Sequence, residues 1–89
     1  MKEKKVRYAR VSEADNIGLA LVDLHKGEEL HLGSTEVTLR EDIPYMHKFS
    51  LCAIPCDADI LKKGEVIGHA TRAIAPGEHV HVHNMHGNV

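Results

Sequence analysis

The chain has 89 residues, of which 43% are hydrophobic and only 3% aromatic, and its formal net charge is −2 with neutral histidines. A chain of this length forms one domain, and its core must be built from aliphatic side chains. The slightly negative charge excludes the basic surface that nucleic-acid binding requires. The apolar stretch from Leu19 to Val22 is too short to span a membrane and no signal peptide precedes it, so we expect a cytoplasmic protein.

The chain begins with a charged segment, residues 1–15, which contains Lys2, Lys4, Lys5, Arg7 and Arg10. Such a segment is typical of a solvated tail or of a first edge strand, and the alternative is a docking arm for an acidic partner surface. We expect the folded domain to span residues 16–84 and residues 85–89 to form a C-terminal tail.

Glycines and prolines recur at short intervals between aliphatic runs, and helical periodicity is nearly absent. Gly27, Gly64 and Gly77 are each followed by glutamate and then by an aliphatic residue that returns to the core. Glycine supplies the positive φ that tight turns need, so this pattern predicts an all-β domain of short strands, a compact barrel or clip. Two stretches, Ser34–Leu39 and Ala58–Lys62, are expected to be single helical turns.

The two cysteines, Cys52 and Cys56, are separated by three residues that include Pro55. This spacing matches neither a zinc knuckle nor a redox motif, and two cysteines agree with a reducing compartment. We expect both to be small buried hydrophobic residues, with metal ligation by Cys56 as the alternative.

Near the C-terminus, His79, His81 and His83 alternate with Val80 and Val82. In an extended strand this alternation places the imidazoles on one face and the valines on the other, facing the core. Successive histidines would lie roughly 6.6 Å apart at Cα, close enough for two rings to meet at one ion or anionic ligand. The alternative is a solvated edge strand that happens to contain histidine.

Five segments together resemble the SAF domain, a β-clip fold, of the altronate/galactarate dehydratase family. They are Asn16–Leu21, Asp23–Glu28, Ile43–Phe49, Lys63–Thr71 and Ala75–Asn84. Two departures stand out: Met46 replaces a glycine that the family often has before His47, and Ala53–Asp59 replaces another Gly-Glu turn.

The resemblance implies a sugar-acid dehydratase that removes water from altronate or galactarate, assisted by Fe²⁺ or Mn²⁺. It also implies that this chain is a small subunit or N-terminal domain, inactive without a large catalytic subunit. A related family pair removes sulfite from sulfolactate, which is the first alternative. A non-catalytic module that binds a sugar acid and a small metal-binding protein are the others, and exposed edge strands would permit a homo-oligomer.

Water elimination beside a carboxylate needs a base, an acid and a group that stabilises the enediolate charge. Imidazole suits both proton transfer and the ligation of iron or manganese. With the resemblance, this predicts His47 and Lys48 as catalytic residues and His81, His83 and His79 as metal ligands. Lys48, Arg40 and Asn84 are the predicted contacts to the substrate.

Overall fold

The computed structural model describes residues 6–87. Within this range nine short strands form three antiparallel sheets, which confirms the all-β class, and no helix is long and apolar enough to cross a membrane. The strands are β1 (Tyr8–Ala9), β2 (Ile17–Ala20), β3 (Glu29–Leu32), β4 (Thr35–Thr38), β5 (Lys48–Ser50), β6 (Asp59–Lys62), β7 (Glu65–Ala70), β8 (His79–Val80) and β9 (Met85–Gly87). The sheets have the orders β1-β2-β5-β8, β3-β4 and β6-β7-β9.

The two predicted helical turns are wrong, because both stretches are largely strand. Ser34–Leu39 contains β4, the second strand of a hairpin in which Leu30 faces Val37. Ala58–Lys62 contains β6, and Asp59 pairs with His69 of β7 instead of capping a helix. In both cases the alternation of buried and exposed side chains along a hairpin outweighs the local preference for a helical turn.

One turn recurs four times, each time after an aliphatic residue that forms an isolated β-bridge. The bridges join Leu24 to Ile43 and Ile54 to Ile74. The residue three positions after each bridged residue has positive φ, and these residues are Gly27 (φ 91°), Met46 (φ 69°), Asp57 (φ 70°) and Gly77 (φ 81°). The positive φ predicted for Gly27 and Gly77 is therefore confirmed. Met46 keeps the same turn despite its side chain.

Gly64, the third glycine of the Gly-Glu pattern, lies in a different kind of turn. It follows Lys63 in the two-residue connection of the β6–β7 hairpin, and both residues have positive φ, 56° for Lys63 and 74° for Gly64. Two successive residues with positive φ are what a tight hairpin turn of matching twist requires.

The buried aliphatic side chains form two clusters, one on each face of the four-stranded sheet. Because Phe49 pairs with His79 and Lys48 pairs with Val80, Phe49 and Val80 point to opposite faces. The first cluster contains Phe49, Ala20, Leu24, Leu30, Leu32, Val37, Leu39, Ile43 and Leu51, and the second contains Val80, Ile17, Ile54, Ile60, Ala70 and Ile74.

The prediction that Cys52 and Cys56 are buried is wrong, since both are free and exposed. They lie in the bend and the turn on either side of Ile54, and it is Ile54 that occupies the core position. The Cys56 thiol lies 3.5 Å from the carbonyl oxygen of Thr71.

The ends of the described range both join sheets. β1 pairs with β2 at one edge of the four-stranded sheet, while residues 1–5 lie outside the described residues. Residues 85–87, expected to be tail, form β9 and pair with β7, so that His86 faces His69 across the strands. The chain therefore continues as ordered sheet after the histidine-rich segment.

Candidate functional site

The candidate site is formed by two neighbouring strands, β5 and β8. They are antiparallel, and their register pairs Phe49 with His79 and Lys48 with Val80. The same register, extended by one residue, sets His47 opposite His81 and makes His79 its diagonal neighbour. Side chains in these positions share one face of the sheet, so three histidines from two strands meet.

The three imidazoles of His47, His79 and His81, here called the histidine cluster, are close together. Nδ1 of His47 lies 2.8 Å from Nε2 of His79. The His47 ring is stacked on the His81 ring with centroids 4.4 Å apart. One ring nitrogen from each residue lies within 4.8 Å of the other two. His47 and His79 are half-buried, whereas His81 is exposed, so the cluster opens to solvent on the His81 side.

The predicted strand of alternating histidines and valines ends early, and this part of the prediction is wrong. β8 includes only His79 and Val80, and the chain then turns through residues 81–84. Val80 is buried as expected, but Val82 is 80% exposed at the turn. The turn forms because the amide groups of Asn84 and Met85 both donate hydrogen bonds to the His81 carbonyl oxygen, which an extended strand does not permit.

Asn84 holds this turn from inside. Its side chain is fully buried, its Nδ2 donates to the His79 carbonyl oxygen at 2.8 Å and to Glu78 Oε2 at 3.2 Å, and its Oδ1 accepts from the His81 amide at 3.0 Å. These bonds occupy its polar atoms. Asn84 therefore positions the His79–His81 segment, and its contact with substrate stays a prediction.

The close set of ring nitrogens in the histidine cluster does not include His83. Its ligating nitrogen groups with carboxylate oxygens of Glu41 and Glu78, all within 4.8 Å of one another, and its ring lies 5.3 Å from that of His79. The close nitrogen set is therefore His47, His79 and His81, while His83, predicted to join His79 and His81, lies beside the His79 ring and in a second set with the two glutamates.

The electrostatic surroundings favour neutral imidazoles at His79 and His81. Burial, helped by His47 and His83 and opposed by Glu41, lowers the pKa of His79 below its usual value. Desolvation together with the neighbouring charges of His47 and Lys48 also lowers the pKa of His81. A neutral imidazole keeps one nitrogen lone pair free, so both residues are able to accept a proton or bind a cation at neutral pH.

Lys48 and Arg40 lie near the cluster without joining it. Lys48 is half-buried on the opposite face of β5, and burial together with the charge of Lys62 lowers its pKa. The exposed Arg40 donates its backbone amide to the Gly77 carbonyl oxygen, which fixes it beside the turn that precedes β8. Its neighbour Glu41 accepts the His79 amide at 3.0 Å, which ties this segment to the site.

The donor set fits a divalent transition metal. Two nitrogens that bind one ion at right angles, each about 2.1 Å from it, lie about 3 Å apart. The 2.8 Å between His47 and His79 meets this condition, and the exposed His81 ring borders the same space. Three imidazoles with an open side are a suitable partial ligand set for a transition metal such as iron or zinc.

The family of the chain follows from a match along nearly all of its length. A family model for the altronate/galactarate dehydratase SAF domain matches residues 6–88. The chain belongs to this family. The expected membership is therefore confirmed, and the histidine cluster lies within a SAF domain.

Among its relatives, the chain is 40% identical over 84 residues to altronate dehydratase of Escherichia coli (strain K12), which covers 94% of this SAF domain and 17% of the relative. It is 40% identical over 82 residues to altronate dehydratase of Bacillus subtilis (strain 168), covering 92% of the chain and 16% of the relative. The chain thus spans about one sixth of these enzymes.

A shorter relative is the (2R)-sulfolactate sulfo-lyase subunit alpha of Chromohalobacter salexigens. It is 28% identical over 83 residues, a match that covers 84% of this SAF domain and 88% of the relative. This relative is therefore similar to the chain in length as well as in sequence.

Two residues near the site were not singled out by the sequence. Glu78 was assigned only to a turn, yet its Oε1 accepts the Ala75 amide and its Oε2 accepts from Asn84. Lys62 lies at the end of β6 and approaches Lys48 from a different sheet. No spacing in the sequence predicts that Lys62 lies near Lys48. The turn at Asn84 was predictable in part, since asparagine is common in turns.

Proposed function

We propose that this SAF domain is part of a sugar-acid dehydratase that removes water from altronate or a galactarate-type acid. The observation that carries the proposal is the cluster of His47, His79 and His81 on one face of β5 and β8. Family membership and 40% identity to two altronate dehydratases support the reaction class.

The proposal includes a larger catalytic partner, because the chain corresponds to only 16% of the altronate dehydratase of Bacillus subtilis. The match over 88% of the sulfo-lyase subunit alpha supports a separate small subunit as the form of this chain. The cluster lies at the surface with one exposed member, so in this proposal the remaining walls of a pocket come from outside this domain. We assign the general base and the reading of the sugar hydroxyls to that partner.

In this proposal His47, His79 and His81 hold Fe²⁺ or Mn²⁺. When bound, such an ion acts as a Lewis acid toward the carboxylate and hydroxyl oxygens of the substrate. Asn84 and Glu41 keep the His79–His81 segment in place through the His81 and His79 amides. Lys48 lies on the opposite face of β5, and in this proposal its positive charge, which is felt at His81, attracts a substrate carboxylate.

His47 changes role relative to the sequence prediction. Its Nδ1 is within hydrogen-bond distance of His79 Nε2, so in the metal-free state one of the two rings donates and the other accepts. The two nitrogens are also at about the separation that binding of one ion requires. We therefore propose His47 as a ligand, with proton transfer to the substrate carried out by the partner.

Metal binding is tested by calorimetric titration of the purified chain with Mn²⁺. We expect His47→Ala and His81→Ala to weaken binding by at least about tenfold, since each removes one of three ligands. His31→Ala is the matched control, because His31 is an exposed histidine on β3 that lies near Glu36 and outside the cluster. Equal affinity in all four proteins would contradict the ligand assignment.

The reaction is tested by altronate turnover, measured as the 2-keto-3-deoxy product. We expect no turnover by the chain alone with Fe²⁺, and turnover when a large dehydratase chain encoded nearby in the host genome is added. Activity of the isolated chain, or an unchanged rate of the large chain with and without it, would refute the subunit role. We place the protein in the cytoplasm as part of the same proposal, because Cys52 and Cys56 are free, exposed thiols.

A further inference from the structure

Two half-buried lysines lie side by side on the face of the four-stranded sheet opposite to the histidine cluster. Lys48 is on β5, where its Cα partners are Leu19 and Val80, and Lys62 is the last residue of β6. Both lysines border one small surface pocket, together with residues of β2 and the segment before it. Burial and the charge of Lys62 lower the pKa of Lys48, so the Lys48 ammonium group lies near a like charge in a partly desolvated place, which a bound anion would relieve.

The approach of the two lysines is fixed by the fold. Asn16 joins β2 to β6, because its Nδ2 donates to the Asp59 carbonyl oxygen at 2.9 Å and its Oδ1 accepts the Leu61 amide at 2.9 Å. Leu61 precedes Lys62, and β2 is the neighbour of β5 in the sheet. Two hydrogen bonds of a single asparagine therefore fix β6 beside β2, where Lys62 and Lys48 border the same pocket.

The acidic residue that borders this pocket is already occupied. Asp15 accepts the Gly64 amide through Oδ1 at 2.8 Å and the Lys63 and Ser12 amides through Oδ2 at 2.9 and 3.1 Å. Among residues 6–87 no ion pair involves Lys48 or Lys62. Glu65 is the cross-strand neighbour of Lys62 but forms no ion pair with it, so neither lysine has an ion-pair partner in the part of the chain that the structure describes.

We propose that Lys48 and Lys62 form a binding site for one carboxylate group. A carboxylate has two oxygens, each able to accept from one ammonium group, and its charge would relieve the repulsion between the two lysines. Two sources share this chemistry: a carboxylate of the sugar acid, or an aspartate or glutamate of the large chain. The choice between them rests on the proposed function, because Lys48 also lies near His81.

The test compares wild type with Lys48→Met and Lys62→Met, which keep most of the apolar stem and remove the charge. Lys26→Met is the matched control, since Lys26 is an exposed lysine remote from this pocket. The first arm is calorimetric titration of each metal-free chain with altronate, and the second is the dissociation constant of each chain for the large chain. Lys62→Arg, which retains the charge, should behave like wild type in both arms.

At least a fivefold loss of altronate affinity in Lys48→Met and Lys62→Met supports the sugar acid as the source. At least a fivefold weaker association with the large chain, with altronate affinity unchanged, supports an acidic residue of the partner. If neither quantity differs from the Lys26→Met control, the carboxylate site is refuted. These readouts do not use turnover, so they remain decisive even if the complex proves to have no dehydratase activity.

A stability measurement separates this site from a merely structural lysine pair. Without anion, Lys62→Met should unfold at the same or a higher urea concentration than wild type, because it removes a repulsion. If the lysines only support the fold, the variant should instead unfold at a lower concentration, and that result would also count against the proposal.

Discussion

Replacing Asn84 with alanine removes the buried side chain that shapes the turn after β8. Three hydrogen bonds are lost: to the His79 carbonyl oxygen at 2.8 Å, to Glu78 Oε2 at 3.2 Å and from the His81 amide at 3.0 Å. Each contributes about 1 kcal/mol net, more where a carboxylate accepts, and the small cavity adds to the loss. We expect the free energy of unfolding to fall by about 3–5 kcal/mol, a large fraction of the roughly 5–10 kcal/mol typical of a domain of this size.

The assay is urea denaturation followed by far-ultraviolet circular dichroism, with Val82→Ala as the control in the same turn. Val82 is 80% exposed, so its truncation should change the unfolding free energy by less than about 0.5 kcal/mol. A loss below about 1 kcal/mol for Asn84→Ala would refute the reasoning. The turn would then be held by the two backbone hydrogen bonds to the His81 carbonyl oxygen alone.

Three further predictions concern the turns. In urea denaturation, Gly77→Ala should lower the free energy of unfolding by at least about 2 kcal/mol more than Gly27→Ala does. Both positions have positive φ, but only at Gly77 would a β-carbon overlap the Thr38 carbonyl oxygen. Equal losses in the two variants would contradict this reasoning. Met46→Gly should leave the unfolding free energy unchanged or raise it by up to about 1 kcal/mol, since it relieves a left-handed backbone, and a clear decrease would speak against that strain. Burial raises the pKa of Asp15, but three amide hydrogen bonds outweigh burial, so its pKa in the folded protein is lowered. The ionised Asp15 therefore stabilises the fold above its ordinary pKa of 3.8, and this stabilisation is lost as pH falls through the folded pKa. Asp15→Asn should therefore flatten the acid side of the stability–pH curve, and parallel curves for both proteins would exclude this role.

The confirmed parts of the sequence prediction depend on the backbone preferences of single residues. The turns at Gly27 and Gly77 follow from a single residue's freedom to adopt positive φ, so they were predictable without knowing the fold. The helical turns failed because the partner strands of β4 and β6, which decide their conformation, are not visible in a short window.

The candidate site shows the same division. His79 and His81 were singled out by alternation, and both belong to the histidine cluster. The position of His47 depends on the β5–β8 register, which joins residues more than thirty positions apart and is set by the whole sheet. His83 lies in the turn that the buried hydrogen bonds of Asn84 form after β8, and those bonds require the completed core, so the end of the strand could not be predicted.

The turn at residues 81–84 connects β8 of the four-stranded sheet to β9 of the three-stranded sheet. His47 and His79 are anchored in the first sheet, whereas His81 sits where the chain leaves it for the second. Any sliding of one sheet over the other must alter the spread of the three rings. A partner that binds both sheets would thereby set the separation of the three imidazoles without contacting them.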